Sequence, residues 1–385
     1  MRFLIRRTLF FLLLLGVIYS LPNCKAINGP VSEENIPSIV LSNEMVQSTS
    51  VVDEVLEHIS LIKLDTKPDA LIQEISKLIP LKDYIIIIDK KTFRILVFDK
   101  NGQFIRSIEH RGRGPGEYLE LTDVSWSDGL LYILDVGNRK VHQYTLNDQH
   151  VSSLDLSLDF GGYMFEMNQE EYLFYRRNEL FPTATGYNLI VANNQLNKIL
   201  DFGSKIPEIL ENKALVASQI MSKNRSILYA VPPFDSLIYQ VDSSGHLLPT
   251  YRIDASPEYL ALNLPIWKNT HLDDYDFNNE LMKSGAIWSI SNLLVGNNHV
   301  VFTYFQKGTP NLCVYSIDKQ RTKIFTTPQL SSESIFSSFI GVNETDYYCL
   351  PQADQIDKLN KAFNENININ DNPVLLKISF NDEKF

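Results

Sequence analysis

Cysteine is nearly absent: Cys24, Cys313 and Cys349 are the three in 385 residues. That excludes a disulfide-built scaffold. No Cys/His spacing of the zinc type occurs, and the seven histidines share no repeat position, so a metal centre is not expected. Basic residues are also short, with 35 Lys+Arg against 46 Asp+Glu and a net charge of −11. A chain this acidic is not built for nucleic acid, whose affinity comes mainly from Lys and Arg on phosphates. No Gly-x-Ser-x-Gly elbow is present, and the glycine-rich loop near residue 114 lacks the Gly-Lys-Ser/Thr end of a phosphate loop. Long apolar runs are confined to the N-terminus. Even there, Leu9–Ile18 falls short of the about 20 residues that span a bilayer.

What is present starts at that N-terminus. Arg2, Arg6 and Arg7 precede the apolar run, and turn-forming residues follow it to Ala26. This is the layout of a secretory signal. Cys24 after Leu21-Pro22-Asn23 loosely matches a lipobox. The expected organisation is a lipoprotein-type signal over 1–24 with Cys24 lipidated, then a tether over 25–56 and one domain over 57–385. Ordinary cleavage after Ala26 is the alternative. Without residues 1–24 the chain keeps 32 Lys+Arg against 46 Asp+Glu, a net charge of −14.

From about residue 57 the chain reads as short strands with turn signals between them. Asp83–Asp89, Phe93–Phe98 and Asn101–Ile108 repeat as Asp128–Asp135, Asn138–Tyr144 and Asn147–Leu154, with Asp89 and Asp135 46 residues apart. One propeller blade takes roughly 40–50 residues. The unit recurs, with decay, to Phe380. The last unit is one strand short, and a spare strand, His58–Leu64, precedes the first. The expectation is an all-β, six-bladed β-propeller whose ring is closed by that N-terminal strand completing the last blade. Two stretches break the pattern, Asn263–Ser284 and Gln352–Asn372, and each has room for a short helix. Cys313 and Cys349 then fall in strands of different blades and read as buried free thiols. A disulfide between them is the alternative in an oxidising compartment.

Val97–Ile105, Arg111–Tyr118 and Leu131–Asp135 followed by Asn138-Arg139-Lys140 resemble the six-bladed propeller family of exported bacterial proteins, relatives of the NHL-repeat propellers. In that family a Gly-Arg-Gly-Pro-Gly-Glu-Tyr/Phe element joins blades 1 and 2, and Gly112–Tyr118 matches it. The resemblance implies the fold and export, often as a lipoprotein. It implies no reaction.

The candidate ligand-binding residues are Arg111, Arg113, Glu117, Tyr118, Arg139, Arg176 and Arg177, grouped by strand order on one presumed funnel face. Arginines there suit a carboxylate or sugar hydroxyls. A staple between blades 1 and 2, with Glu117 pairing an Arg and Tyr118 packed below, is the competing structural reading. Asp89 and Asp135 close equivalent strands, where Asp commonly bonds its own turn. No catalytic residue stands out. The expected function is an exported, lipid-anchored binding or scaffold module at the cell envelope, for a glycan, a peptide or a partner protein. No cofactor is expected, Ca²⁺ being the one alternative, and contact with the membrane is through the lipid alone. The other function class is a hydrolase or lyase, lactonase-like or glycan-cleaving, with its site in the central channel.

Overall fold

A computed structural model describes residues 36–42, 45–47, 55–157, 160, 162, 164–176, 187–205, 219–233, 235–241, 247–255, 274–287, 290–306, 309–326, 336–351 and 353–385. The signal, Cys24, the first part of the tether and Arg177 lie outside them.

The chain is a six-bladed β-propeller. Three short strands come first: β1 (Ser38–Val40), β2 (Val46–Gln47) and β3 (Leu56–Lys63). Blade 1 is β4 (Lys77–Pro80), β5 (Tyr84–Asp89), β6 (Arg94–Asp99) and β7 (Phe104–Ile108). Blade 2 is β8 (Asp123–Ser127), β9 (Leu130–Asp135), β10 (Lys140–Thr145) and β11 (His150–Asp155). Blade 3 is β12 (Met164–Met167), β13 (Glu171–Tyr175), β14 (Tyr187–Asn193) and β15 (Lys198–Lys205). Blade 4 is β16 (Met221–Asn224), β17 (Ile227–Ala230), β18 (Leu237–Val241) and β19 (Leu247–Asp254). Blade 5 is β20 (Ile290–Val295), β21 (His299–Gln306), β22 (Thr309–Ser316) and β23 (Arg321–Thr326). Blade 6 is β24 (Phe336–Asn343), β25 (Asp346–Pro351) and β26 (Val374–Phe380), with β3 hydrogen-bonded outside β26 from Leu56↔Phe380 to Lys63↔Val374.

Each blade is an antiparallel meander. The first strands touch in cyclic order, β4 to β8, β12, β16, β20, β24 and back to β4, and so line the central channel. Second and third strands are sandwiched between neighbouring blades. Ile85–Ile88 and Ile95–Phe98 are buried on both faces, which is why they read as continuous apolar runs rather than alternating ones.

The segment read as a tether does more than link. β1 adds in parallel to the outer edge of blade 4 through Ser38↔Arg252, and β2 adds to blade 5 through Val46↔Ile324. Ile36, Ile39, Leu41 and Val55 are buried. The apolar side chains at 36, 39 and 41 cover blade-edge surface that a free tether would leave wet. Among the described residues two α-helices interrupt the meander, α1 (Asp274–Ser284) and α2 (Ile356–Phe363), within the two stretches that break the repeat. Leu359 of α2 packs into the cluster that holds Phe339 and Phe380. Cys313 and Cys349 are buried and free, and burial pushes both thiols up.

Candidate functional site

All six channel-lining strands run the same way. The turns that follow them therefore lie at one end of the channel, and the connections between blades lie at the other. Polar side chains crowd the channel side of these strands. Lys77, first in β4, reaches Glu166 of β12 at 2.7 Å and Asp123 of β8 at 3.2 Å. Ser125 donates to the second Glu166 oxygen at 2.8 Å and accepts from Met167 N–H at 3.0 Å, while Asp123 accepts from Phe165 N–H at 2.9 Å. Both carboxylates are thus occupied by a cation and by blade-to-blade hydrogen bonds. Burial works against the Lys77 charge, but Asp123 and Glu166 outweigh it and hold the ammonium above the usual lysine value.

A second lysine crosses the same channel. Lys223 of β16 donates to the carbonyls of Trp126 and Met167, both at 2.6 Å. No carboxylate lies within ion-pair distance of it among the described residues. Burial pulls its pKa down to about 8; Glu166 and Asp128 oppose that pull, and Lys77 adds to it. Beside it opens a cavity of about 580 Å³. Trp126, Asp128, Gln169, Gln219, Asn224 and Asn343 give its wall an indole, a carboxylate and four amides. The turns Ser127–Asp128, Asn224–Ser226 and Asn343–Glu344, which follow channel strands, form one end of it. Gln169 donates to Asp128 at 2.8 Å, so part of that wall is already ordered.

The residues singled out from the sequence stand at the other end. Arg111–Tyr118 joins β7 to β8, Arg139 sits in the turn between β9 and β10, and Arg176 follows β13. None of them lines the cavity. Arg111 stacks its guanidinium over Phe93 with 4.0 Å to the ring centroid, joining the loop to blade 1. Tyr118 is fully buried and donates to the carbonyls of Phe93 and Ile108. Among the described residues Glu117 pairs with no arginine. Its carboxylate accepts from Gly114 N–H at 2.7 Å and fills the space a side chain on Gly112 would need, with an added Cβ only 1.9 Å away. Arg113 and Arg139 are exposed, whereas Arg176 is buried. Asp89 accepts from Gln73 and Thr92 N–H, and Asp135 from Leu119, Glu120 and Asn138 N–H, the turn-bonding role its position suggested.

Three of the seven histidines, His110, His142 and His150, converge at blade 2. His142 and His150 each contact Ser153 Oγ at 2.8 Å, with Asp135 3.4 Å from the far nitrogen of His142. His110 meets Asp148 at 2.6 Å and stacks on Tyr144. His142 and Ser153 are cross-strand partners, a pairing a one-dimensional spacing search does not find. No group of three or more metal-ligating side chains with room for an ion occurs among the described residues.

The family described as a domain of unknown function, DUF4934, matches residues 37–379. Among solved structures, BF0058 of Bacteroides fragilis NCTC 9343, inferred to be an exported protein, superposes with a TM-score of 0.73 at 20% identity, over 90% of this chain and 100% of that one. A DUF4221-family protein from Bacteroides vulgatus superposes at 0.51 with 12% identity, over 85% of this chain and 97% of that one. Likeness at these identities speaks for the fold. No curated protein matches the sequence.

Proposed function

Because the chain belongs to the family described as a domain of unknown function, DUF4934, whose description names no activity, we propose its function from the channel: the propeller is a binding module that takes the end of a neutral glycan into the cavity beside Lys223. The observation that carries this is the wall of that cavity. Trp126, which packs in part against the apolar cluster between blades 1 and 2, borders the cavity together with Gln169, Gln219, Asn224 and Asn343, whose amides both donate and accept; Gln169 and Asn224 each already donate to a neighbour, Asp128 and Asn297. Those two features match a sugar, with its C–H faces and its paired hydroxyls. The volume lies within the range of small-ligand sites, about 300–1,000 Å³.

Asp123 and Glu166 do not supply the carboxyl pair of a glycan-cleaving site. Cleavage needs one carboxyl to deliver a proton and another free to act on carbon or water. Here both are committed to Lys77, Ser125 and the Phe165 N–H. We further propose export to the cell envelope with Cys24 lipidated, supported by the basic and apolar order of residues 2–18 and by the exported character inferred for BF0058. The membrane is then met through that lipid. Labelled fatty acid should enter the wild type and not Cys24→Ala.

The test of binding is calorimetry against neutral oligosaccharides. A bound saccharide whose affinity falls tenfold or more in Trp126→Ala and Gln169→Ala supports the site. No saccharide bound, or binding unaffected by either change, overturns it.

A further inference from the structure

We propose that Ser153 is a nucleophile, with His142 as its base and Asp135 holding that base, and that this site at the rim of blade 2 takes the acyl group of a small carboxylic ester. The site is separate from the channel cavity and does not rest on the saccharide reading above.

The hydrogens along this cluster can take one order. Burial pushes the Asp135 carboxyl up, but hydrogen bonds from His142 and from the backbone of Asn138, Leu119 and Glu120 outweigh it and hold the group below its usual value. An ionised carboxylate only accepts, so His142 Nε2, 3.4 Å from it, carries the proton. In the neutral imidazole Nδ1 is then a lone pair. It lies 2.8 Å from Ser153 Oγ, and the hydroxyl donates to it. His150 Nε2, also 2.8 Å from Oγ, donates in turn, because the hydroxyl has one hydrogen and has given it to His142. A hydroxyl aimed at an imidazole that a carboxylate orients from behind is the arrangement that activates serine. His142 and Asp135 are buried, Ser153 is half-buried and His150 is exposed. The base is shielded and the hydroxyl can be reached.

Blade 1 provides a comparison within the same chain. Its residues stand 46 positions earlier in matching register: Leu96 pairs with Ser107 as His142 pairs with Ser153. Both outer hairpins carry a bulge, at Ile105 and at Val151. On a regular strand residues three apart face opposite ways, and a bulge re-aims one of them. The bulge at Val151 thus turns His150 to the face that holds Ser153. This frame belongs to the fold, but blade 1 fills it with Leu96 and Phe104, which pack against apolar neighbours. A blade therefore needs no histidine at either place, and blade 2 has one at each. The glycine-rich loop leaves room for the second. Gly116, with φ +82°, borders the His150 ring so closely that an added Cβ would lie 2.7 Å from it.

Ser153 stands on β11, the outermost strand of its blade. At such a rim the acyl group is small and its alcohol extends into solvent. An ester suits the site better than an amide, because an alcohol leaves more readily than an amine. The step balances with water as the co-reactant. Ser153 Oγ attacks the acyl carbon, and its proton passes to His142 Nδ1. The bond from the acyl carbon to the alcohol oxygen breaks, and His142 gives the proton to that oxygen. Water then attacks the acyl-serine, one of its protons travels through His142 to Ser153 Oγ, and the carboxylic acid leaves. Asp135 is the positioning residue that pairs with the imidazolium in both halves.

The experiment treats the folded protein with diisopropyl fluorophosphate, which an activated serine hydroxyl attacks with loss of fluoride, and locates the adduct by tandem mass spectrometry. Ser153 should be modified about a hundredfold or more faster than Ser152, the half-buried neighbour whose hydroxyl donates to Gln143 instead. His142→Leu, which installs the residue blade 1 carries, should lose that advantage. p-Nitrophenyl acetate should be hydrolysed by the wild type and at most about a tenth as fast by Ser153→Ala. That variant removes one oxygen and keeps the fold, so the ester assay decides even if the histidine variant unfolds. Ser153 labelled no faster than Ser152, ester hydrolysis equal in wild type and Ser153→Ala, or a folded His142→Leu labelled as fast as the parent overturns the proposal.

Discussion

Lys77 and Glu166 meet at 2.7 Å although their strands belong to blades 1 and 3, which are not neighbours in the ring. The pair spans the channel face of blade 2, whose Asp123 and Ser125 complete it. Three blades are thus tied at the channel wall by one cation. Both partners are nearly buried, so removing one leaves the other charged and dry. Lys77→Met and Glu166→Gln should each lower unfolding stability by about 3–5 kcal/mol in denaturant titration. The double variant should lose less than the sum, because the two changes delete one shared interaction. Additive losses would show that the residues act independently.

The Arg111–Tyr118 loop separates its residues in another way. Arg113 is exposed, whereas Glu117 accepts a backbone hydrogen bond from Gly114 and occupies the hollow left by Gly112. Arg113→Ala should change stability by no more than about 1 kcal/mol. Glu117→Ala should cost about 1–3 kcal/mol, since it strands a loop N–H. Gly112→Ala should also destabilise, because its new methyl group collides with the Glu117 carboxylate. Equal losses for Arg113→Ala and Glu117→Ala in thermal melts would restore a direct pairing of the two.

How much of this was legible in the sequence depends on which strand is asked about. Second and third strands such as Ile85–Asp89 and Leu131–Asp135 are buried on both sides and announce themselves as apolar runs. Three of the six channel strands, those of blades 3, 5 and 6, were legible too; those of blades 1, 2 and 4 were not. Lys77–Pro80, Asp123–Ser127 and Met221–Asn224 are four or five residues long and turn polar side chains toward the channel. They carry neither an apolar run nor a clear alternation, so their turn-like composition hides them. These same strands hold Lys77, Asp123, Ser125 and Lys223. The fold was therefore readable from the layer that packs, and the cavity was not, because Lys77, Asp123, Ser125 and Lys223 come from the three channel strands that carry no apolar signal. The glycine-rich loop drew notice through its composition, yet its glycines serve a backbone wrapped around its own Glu117 at the opposite end of the channel. Gly116, with φ +82°, is the clearest case, for an added Cβ there would also meet the His150 ring at 2.7 Å.

β3 offers a test of cooperativity. It pairs with β26 from Leu56 to Lys63 and buries Ile62, while the following Leu64 is buried as well. Deleting 57–64 exposes the edge of β26 and the apolar surface beneath. Circular dichroism melts of the truncated protein should lose the sharp single transition of the parent. A truncated protein that melts at the parent's temperature with the same steepness would show that blade 6 stands with three strands.

The last prediction concerns Lys223 and needs no ligand. Its folded pKa of about 8 lies below its ordinary value of 10.5. Below pH 8 both folded and unfolded chains carry the proton, and the cost of burying the charge is constant. Between pH 8 and 10.5 the unfolded chain still binds a proton that the folded chain has lost. Stability from this residue therefore rises with pH across that window and levels off above it, by up to about 3 kcal/mol in total. Buried tyrosines work in the opposite direction. The phenols of Tyr144 and Tyr348 are pushed up to about 12 by burial, so the unfolded chain ionises them first and alkali erodes the fold. The measurement is consequently a difference. Urea unfolding of wild type and Lys223→Met at several pH values cancels the tyrosine contribution. The methionine keeps much of the stem's apolar contact and cannot titrate. The stability of wild type relative to the variant should climb from pH 8 to 10.5. A flat difference would mean that Lys223 keeps its proton in the folded state.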